Sequence, residues 1–238
     1  ENHFDHDPEL VRTLTAANKK DLLDEIGFDD LQAHFFYTRQ RLQHGLGDAI
    51  LCGENFAGED PFLVALGDSI LGLHANAKVV TRLADVFESK RASCVIAVEE
   101  VPPAEVSHYG IVQPEPGGGD AFRVIDLIEK PSPDKAPSNL AIAGRYVFSP
   151  LIFDMIRRIK PDARGEIQIT DAIRLLCQEG KRVIAVKIAP YEKRYDIGNF
   201  PSYFETFVEF ALADPEYGQG LRKVLKRLLN ERAAPGGA

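Results

Sequence analysis

Residues 124–148 of the chain read VIDLIEKPSPDKAPSNLAIAGRYVF. Two apolar runs, 124–129 and 140–148, are typical of β-strands, and the polar segment between them holds prolines that cannot donate to a β-ladder. Alternation along the first run places Ile125, Leu127 and Glu129 on one face, with Glu129 at the end of the strand. A carboxylate on an apolar face costs free energy unless it is hydrogen-bonded. The pattern therefore predicts a hydrogen-bonding partner at Glu129, for which a polyhydroxylated ligand is one candidate.

The composition is that of an ordinary globular protein, with 238 residues, 45% hydrophobic and 27% charged. A formal net charge of −8 argues against a nucleic-acid partner, so a bound phosphate must be met locally by a few basic side chains, backbone amides or a metal. The widely spaced Cys52, Cys94 and Cys177 lie in apolar runs and predict reduced thiols in a cytoplasmic protein. No apolar run approaches the ~20 residues of a membrane-spanning helix, so we predict no membrane segment.

The N-terminal part combines a helical pattern with a glycine-bearing loop. Helical periodicity covers residues 8–26, and the aromatic run 33–38 predicts a strand. Gly45 and Gly47 then lie in a loop that leads into a helix. Because helix N-termini and nearby amides suit anions and base edges, this loop is a candidate binding element, with a plain turn as the alternative.

A continuous apolar run at 62–66 is typical of a buried parallel strand, and Asp68 follows it. Ligands of open α/β sheets bind beyond the carboxyl ends of strands, so Asp68 is a candidate binding acid; a turn or cap aspartate is the alternative. Further elements are predicted as helices over 77–89, 150–159, 201–213 and 220–231 and as strands over 92–98 and 183–188. A turn followed by a helix is predicted over 165–177, and a turn over 195–200. This alternation predicts an α/β fold with a mixed, mostly parallel sheet flanked by helices. Two β-like runs on either side of Gly117–Gly119 predict a β-hairpin insertion.

Several short runs occur in an order that resembles one family. They are Gln40 with Gly45-Leu-Gly47, Leu66–Asp68 (LGD), Tyr109–Val112 (YGIV), Ile128–Pro131 (IEKP), Ala136–Tyr146 (APSNLAIAGRY), Gly165–Asp171 (GEIQITD) and Tyr195–Asn199 (YDIGN). Together they resemble the bacterial UTP–glucose-1-phosphate uridylyltransferases, also called UDP-glucose pyrophosphorylases. The resemblance covers nearly the whole chain, through Phe210. The IEKP and APSNLA runs are specific to this group, whereas the single acids are not.

The resemblance implies a GT-A-like Rossmann nucleotidyltransferase fold. In the implied reaction a phosphate oxygen of glucose-1-phosphate attacks the α-phosphate of UTP, which gives UDP-glucose and pyrophosphate. Asp68 and Asp196 would hold Mg²⁺, a hard cation that binds carboxylates and phosphates. Lys130 would neutralise the sugar phosphate, so that Lys130 and Asp68 are the implied catalytic residues. Glu129 would accept hydrogen bonds from the glucose hydroxyls.

The resemblance also implies a wider set of substrate-binding residues. Gln40 and the backbone of Gly45 and Gly47 would read the uracil edge. The sugar side would include Tyr109, Gly110, Glu129, Lys130, Asn139, Gly144 and Arg145. Taken singly, Lys130 is compatible with a solvated surface lysine, Gln40 with a polar residue at a strand end and Asp196 with a turn, but the order of the motifs outweighs these alternatives.

The sequence departs from the family's pattern at a few positions. Arg41 follows Gln40 where glycine is usual, Gly67 replaces a proline before Asp68, and Phe200 stands where lysine is common. These departures bear on base selectivity and on placement of the triphosphate.

A larger departure concerns the family's N-terminal strand and its Gly-x-Gly-Thr-Arg…Pro-x-Thr-Lys loop, which have no counterpart before Glu1. We therefore expect one nucleotidyltransferase domain over 1–238, incomplete at its N-terminus by roughly 30 residues or more. A C-terminal helix and a frayed tail are expected over 215–238. We expect the chain to keep much of the sugar side of the site and to turn over poorly or not at all. The family resemblance further implies a homo-oligomer.

Three other functions fit parts of the sequence. The first is a thymidylyltransferase or another sugar-1-phosphate nucleotidyltransferase of the same fold. The second is a catalytically silent domain that binds sugar nucleotides. The third is a GT-A glycosyltransferase with Asp68 on a metal, which the IEKP run and the lack of an Asp-x-Asp motif at a strand end disfavour.

Overall fold

A computed structural model describes residues 7–26, 34–73 and 77–233. The chain divides into two compact units, residues 1–41 and residues 42–238. Among the described residues, no helix has the length and apolar character needed to cross a membrane. The assignment of the whole chain to a single nucleotidyltransferase domain stays a prediction.

The first unit contains two short helices, α1 (Pro8–Ala16) and α2 (Lys20–Ile26). The single helix predicted over 8–26 is interrupted because Asn18 adopts a left-handed conformation with a φ of 53°, which a right-handed helix cannot continue through. The strand predicted over 33–38 is wrong for its described part, since residues 34–38 have no strand conformation and are exposed. Aromatic β-propensity reflects a good fit to a half-buried sheet surface, which an exposed segment does not provide.

The second unit alternates helices and strands. In chain order they are α3 (Leu46–Leu51), α4 (Glu54–Ala57), β1 (Phe62–Ala65), β2 (Ser69–Leu71), α5 (Val79–Lys90), β3 (Cys94–Glu100), β4 (Gly110–Pro114), β5 (Ala121–Glu129), β6 (Leu140–Phe148), α6 (Leu151–Arg158), α7 (Ile169–Gln178), β7 (Val183–Lys187), β8 (Arg194–Asp196), α8 (Phe200–Ala213) and α9 (Gly218–Ala233). Short 3₁₀ helices cover Pro103–His108 and Pro190–Glu192. The expected frayed tail beyond residue 233 lies outside the described residues.

Six strands form the main sheet in the order β1–β6–β3–β7–β5–β4. Among the strands that the structure describes, the β3–β7 pair is parallel and the other pairs are antiparallel. The predicted mixed sheet flanked by helices is confirmed, but the prediction that it is mostly parallel is wrong. Strands β5 and β6 run against the other four, and each lies between two strands of the opposite direction. A strand–helix–strand pattern gives the direction of successive strands and cannot show that a later strand inserts between them.

The core lies on both faces of this sheet. On β3, Ile96 belongs to the cluster that α6 and α7 cover, whereas Val95 belongs to the cluster that α5 covers. Burial on both faces explains the continuous apolar runs of β3 at 94–98 and of β6 at 140–143. In contrast, β1 is an antiparallel edge strand whose Leu63 is exposed. The buried parallel strand predicted there is therefore wrong, because a short apolar run does not distinguish the two situations.

The predicted β-hairpin insertion is confirmed as β4 and β5, which pair in antiparallel fashion with Gly117 at the tip. A shift of register near Pro114 changes the alternation along β5. Ile125 is exposed as a result, whereas Leu127 is fully buried. Glu129 still shares a face with Leu127, as the alternation predicts, and it pairs directly with Gly110.

A separate two-stranded ribbon is formed by β2 and β8, with Ser69 opposite Asp196. The turn predicted at 195–200 is therefore partly a strand, because three residues of β8 pair with β2 before the chain turns into α8. Asn199 caps α8 through its side chain, which accepts a hydrogen bond from the Ser202 amide at 3.1 Å. Asp68 directly precedes β2, so the ribbon brings the two predicted cation ligands together.

Candidate functional site

A cavity of about 260 Å³ in the second unit gathers most of the predicted site residues. Those that line it are Asp68, Tyr109, Gly110, Glu129, Lys130, Gly144 and Asp196. They come from five separate segments of the chain: the approach to β2, the start of β4, the end of β5, the middle of β6 and the end of β8. The topology thus places the predicted sugar-binding and cation-binding residues around one space.

Glu129 has the hydrogen-bonding partner that its position requires. The hydroxyl of Thr170 donates to Oε2 of Glu129 at 2.6 Å. Thr170 is buried in the first turn of α7, which begins after Gln168. The carboxylate is therefore held from within the protein on one oxygen. Its Oε1 lies 3.9 Å from Nζ of Lys130, so the carboxylate stands between a fixed donor and a cation.

Lys130 occupies a strained backbone position at the end of β5. Its φ is 46°, in the left-handed region, and its amide donates to the carbonyl of Tyr109 at 3.0 Å. Pro131 follows, and the chain leaves the sheet at this point. About half of the Lys130 side chain is exposed. This reversal of the chain places a half-exposed cation in the cavity wall, directly beside Glu129.

Gly110 leaves space for the Glu129–Thr170 contact. A Cβ at this position would lie 3.1 Å from Oε2 of Glu129 and 3.1 Å from Oγ1 of Thr170. It would also lie 3.0 Å from Cδ1 of Ile142. Any side chain here would press on both partners of the hydrogen bond. Glycine at the strand start therefore has a packing reason as well as the predicted role of allowing close approach by a ligand.

Asp68 and Asp196, which we call the carboxylate pair, converge on one point. An ideal Cβ at Gly198 would lie 3.2 Å from Oδ1 of Asp196 and 3.4 Å from Oδ2 of Asp68. Backbone contacts fix this arrangement: the Ile197 amide donates to the Asp68 carbonyl at 2.8 Å, and the Gly198 amide donates to Oδ1 of Asp196 at 2.8 Å. Two acids held in this way attract a cation.

The carboxylate pair fits Mg²⁺ rather than a metal held by the protein alone. Within the part of the chain that the structure describes, no group of three or more His, Cys, Asp or Glu side chains could hold a metal ion. Mg²⁺ usually takes one or two carboxylates and completes its shell with water and substrate phosphates. Because Asp68 is exposed, its oxygens are accessible to such an ion.

Arg145 supports the Asp68 loop. Its guanidinium donates to the carbonyls of Leu66 at 3.1 Å, Gly144 at 2.9 Å and Ser69 at 2.6 Å. Burial lowers the pKa of Arg145, and the nearby Asp68 opposes that effect. These bonds tie β6 to the segment before β2. Arg145 does not line the cavity, and its predicted direct contact with substrate stays a prediction.

Four other predicted residues lie elsewhere. Gly47 packs against Ile167, which precedes α7, and the Gly47 amide donates to the Ile167 carbonyl at 2.8 Å. Gly45 takes a φ of 91° beside the same carbonyl. Asn139 accepts a bond from the Val101 amide through its carbonyl at 3.0 Å. Gln40 is half-buried in the first unit. Their roles in nucleotide or sugar binding stay predictions.

Sequence reasoning missed several residues of the cavity wall. Those with the clearest contacts are Ser69, Tyr146, Thr170 and Arg194. Burial, reinforced by Glu129, raises the pKa of Tyr146, so that its phenol stays protonated. Thr170 had a weak signal as a polar residue at a helix start inside the GEIQITD run. Arg194 had none, because its contacts arise from the fold.

Comparison with known proteins gives matches over nearly the whole chain. The model of the nucleotidyl transferase family matches residues 6–211. The chain is 41% identical over 231 residues to the UTP–glucose-1-phosphate uridylyltransferase of Bacillus subtilis strain 168, covering 97% of this chain and 77% of that protein. It is 40% identical over 228 residues to that of Staphylococcus epidermidis RP62A, covering 96% and 77%.

Solved structures give the same result. A UDP-glucose pyrophosphorylase complexed with UDP-glucose is 36% identical with a TM-score of 0.74, over 86% of this chain and 73% of that chain. The UTP-bound enzyme from Acinetobacter baumannii is 32% identical with a TM-score of 0.82, over 95% and 78%. A Bacillus anthracis glucose-1-phosphate thymidylyltransferase described as putative, at 22% identity and a TM-score of 0.63, shares the fold.

Proposed function

Since the chain belongs to the nucleotidyl transferase family, and within it to the UTP–glucose-1-phosphate uridylyltransferases, we propose that it forms UDP-glucose and pyrophosphate from UTP and glucose-1-phosphate. The observation that carries this proposal is the position of Glu129 and Lys130 beside the carboxylate pair in one cavity. A sugar phosphate needs acceptors for its hydroxyls and positive charge for its phosphate. A nucleotide triphosphate needs a cation. This cavity supplies the groups for both.

The proposed reaction depends on position more than on covalent chemistry. A phosphate oxygen of glucose-1-phosphate forms a bond to the α-phosphorus of UTP, the bond from that phosphorus to the bridging oxygen breaks, and pyrophosphate leaves with the electron pair. Lys130 holds the attacking phosphate and offsets its charge. Glu129, fixed by Thr170, orients the sugar through its hydroxyls. Such positioning converts an encounter of two anions into a reaction within one complex.

Mg²⁺ is the cofactor that we assign to Asp68 and Asp196. When bound, it would supply charge neutralisation to the phosphates of the nucleotide. The residues of this chain prepare that role, because the ribbon of β2 and β8 sets the two carboxylates and the Gly198 amide fixes one of them. On the nucleotide side we assign uracil recognition to the loop of Gly45 and Gly47, and the role predicted for Gln40 stays a prediction.

We also propose a cytoplasmic homo-oligomer. The free Cys52, Cys94 and Cys177 are compatible with a reducing compartment. The exposed aromatic side chains of α8, among them Phe200 and Phe204, form an apolar surface of the kind that oligomers bury. Sedimentation velocity on the purified chain tests this assignment, which a monomer at micromolar concentration would contradict.

The function is tested by incubating the chain with UTP, glucose-1-phosphate and Mg²⁺ and by measuring UDP-glucose and released pyrophosphate. Calorimetry measures UDP-glucose binding on the same samples. Glu129→Gln is the informative variant. Its matched control is Glu115→Gln, because Glu115 is an exposed glutamate in the tip that connects β4 and β5. We expect Glu129→Gln to weaken UDP-glucose binding and the control to match the wild type.

Each outcome separates one function from the others. UDP-glucose formation supports the proposal and also measures turnover. Tight UDP-glucose binding without pyrophosphate exchange would instead indicate a silent sugar-nucleotide-binding domain. A preference for dTTP over UTP would indicate a thymidylyltransferase, and release of UDP would indicate a glycosyltransferase. A chain that neither binds UDP-glucose nor turns over contradicts the proposal.

A further inference from the structure

Arg194 is a buried cation in the wall of the cavity. Its side chain is 9% exposed, which is unusual for arginine unless the charge is paired. Its Nε donates to Oε1 of Glu99, and its Nη1 lies 3.5 Å from Oδ2 of Asp196. Its guanidinium carbon lies 4.7 Å above the centroid of the Tyr109 ring. The guanidinium of Arg194 therefore contacts Glu99 on β3, Asp196 on β8 and Tyr109 just before β4.

The neighbouring lysine shows that this arrangement is specific to one face of β8. Lys193 directly precedes β8, and its side chain has different neighbours from that of Arg194. Lys193 donates to Glu209 on α8 at 2.8 Å and lies over the Tyr195 ring. Arg194 and Asp196 share the face that borders the cavity. Two adjacent cations thus have unrelated surroundings, which provides a matched control.

Glu99 fixes the position of the Arg194 guanidinium relative to the Asp196 carboxylate. Glu99 forms an ion pair with the Arg194 guanidinium, and its own side chain is only 18% exposed. The guanidinium is therefore neutralised and held by a partner other than the cation ligand. Its longer contact with Asp196 limits where the carboxylate can rotate, while Oδ1 is held by the Gly198 amide. The planar fork of arginine can make these contacts at once, and the single ammonium of lysine cannot.

We propose that Arg194 is a positioning residue which, anchored by Glu99, fixes the Asp196 carboxylate and the Tyr109 ring together and so couples cation binding to sugar-nucleotide binding. This inference rests on the proposed function, because it takes the cation and UDP-glucose as ligands of the cavity. Residues that orient metal ligands typically change metal affinity by about 10–100-fold when they are replaced. The long contact to Asp196 places Arg194 at the lower end of that range.

The experiment measures UDP-glucose affinity by calorimetry across a Mg²⁺ titration that starts in excess EDTA. The readout is the Mg²⁺ concentration that gives half of the full change in affinity. Arg194→Lys keeps the charge and loses the fork, and Arg194→Gln loses both. The double variant Glu99→Gln/Arg194→Gln removes both charges and leaves no unpaired buried ion if the single variant fails to fold. Lys193→Gln is the control for a charge change at the residue next to Arg194.

We expect about a tenfold increase in half-saturating Mg²⁺ for every Arg194 variant that folds, and no increase for Lys193→Gln. If Arg194 acts only as a charge, Arg194→Lys matches the wild type and Arg194→Gln needs less Mg²⁺, because a repelling cation is gone; either result overturns the inference. A wild type that binds UDP-glucose without any effect of Mg²⁺ also overturns it and leaves the proposed sugar-nucleotide site intact. A wild type that does not bind UDP-glucose contradicts the proposed function as well.

Discussion

Replacement of Thr170 by valine tests whether the Thr170 hydroxyl of α7 positions the Glu129 carboxylate for UDP-glucose binding. Valine has nearly the shape of threonine, so the substitution removes the donor and little else. The contact at 2.6 Å is a hydrogen bond to a charged group, and such bonds contribute about 1.5–3 kcal/mol. Because the Glu129 side chain is 24% exposed, water replaces part of what is lost. We therefore take the lower limit of this range.

A loss of about 1.5 kcal/mol corresponds to at most about a tenfold weaker complex. Part of this free energy stabilises the free protein as well, so we expect UDP-glucose binding to Thr170→Val to weaken by about three- to tenfold. UTP carries no glucose and should bind as before. Isothermal titration calorimetry with each ligand measures both affinities. Thermal unfolding of the same samples records the change in stability separately.

Two further variants make the result decisive. Thr170→Ser keeps the hydroxyl and should restore most of the UDP-glucose affinity. Thr206→Val removes a buried threonine hydroxyl from α8, away from the cavity wall, and should leave both affinities unchanged. If Thr170→Val binds UDP-glucose like the wild type, or if UTP binding weakens equally, the hydroxyl does not act through Glu129 and the reasoning is refuted.

Lys130→Gln should weaken glucose-1-phosphate binding by about tenfold, because the lost contact of a half-exposed cation contributes about 1.5 kcal/mol. Calorimetry with Lys135→Gln as the control measures this change, and equal effects of the two variants would contradict it. Gly198→Ala would place a methyl group against the carboxylate pair, so we expect half-saturating Mg²⁺ to rise severalfold in the turnover assay, and an unchanged value would contradict this. Glu192→Gln should cost about 3 kcal/mol in urea unfolding at neutral pH, because Glu192 is fully buried against Arg82. Burial acts to raise the pKa of Glu192, but Arg82 and two backbone amides outweigh it and lower that pKa below 4.5. The contribution of ionised Glu192 to the free energy of unfolding is therefore complete above pH 4.5 and is lost as the pH falls through the lowered pKa. A stability difference between wild type and variant that stays constant in acid would contradict this assignment.

Sequence patterns predicted well those elements whose own residues indicate how they are buried. The run 140–148 is buried on both faces, and the structure gives it the predicted bounds as β6. The helix α7 follows the predicted turn. The patterns could not show that β6 lies between β1 and β3, because strand order depends on contacts between distant segments. The three-residue strands β2 and β8 are too short to carry a periodic signal at all.

The same division holds for the site. Glu129 could be singled out because a carboxylate at the end of an apolar strand contradicts its local pattern. Its partner Thr170 is 41 residues away in sequence, and nothing near Thr170 marks it as the donor. Arg194 is further removed still, since its anchor Glu99 lies on β3 and its ring contact lies before β4. Local chemistry therefore identified which groups need partners, and the fold determined which partners they have.

The backbone at Lys130 connects the fold to the proposed chemistry. A left-handed conformation at a non-glycine residue costs roughly 1–2 kcal/mol, and glycine would avoid that cost. Glycine would also remove the cation that stands beside Glu129. The conformation itself is needed, because the Lys130 amide must reach the Tyr109 carbonyl and so tie the end of β5 to the start of β4. Strain at this one residue thus places a phosphate-binding cation next to a sugar-binding carboxylate, and it explains why the reversal carries lysine where glycine would fold more easily.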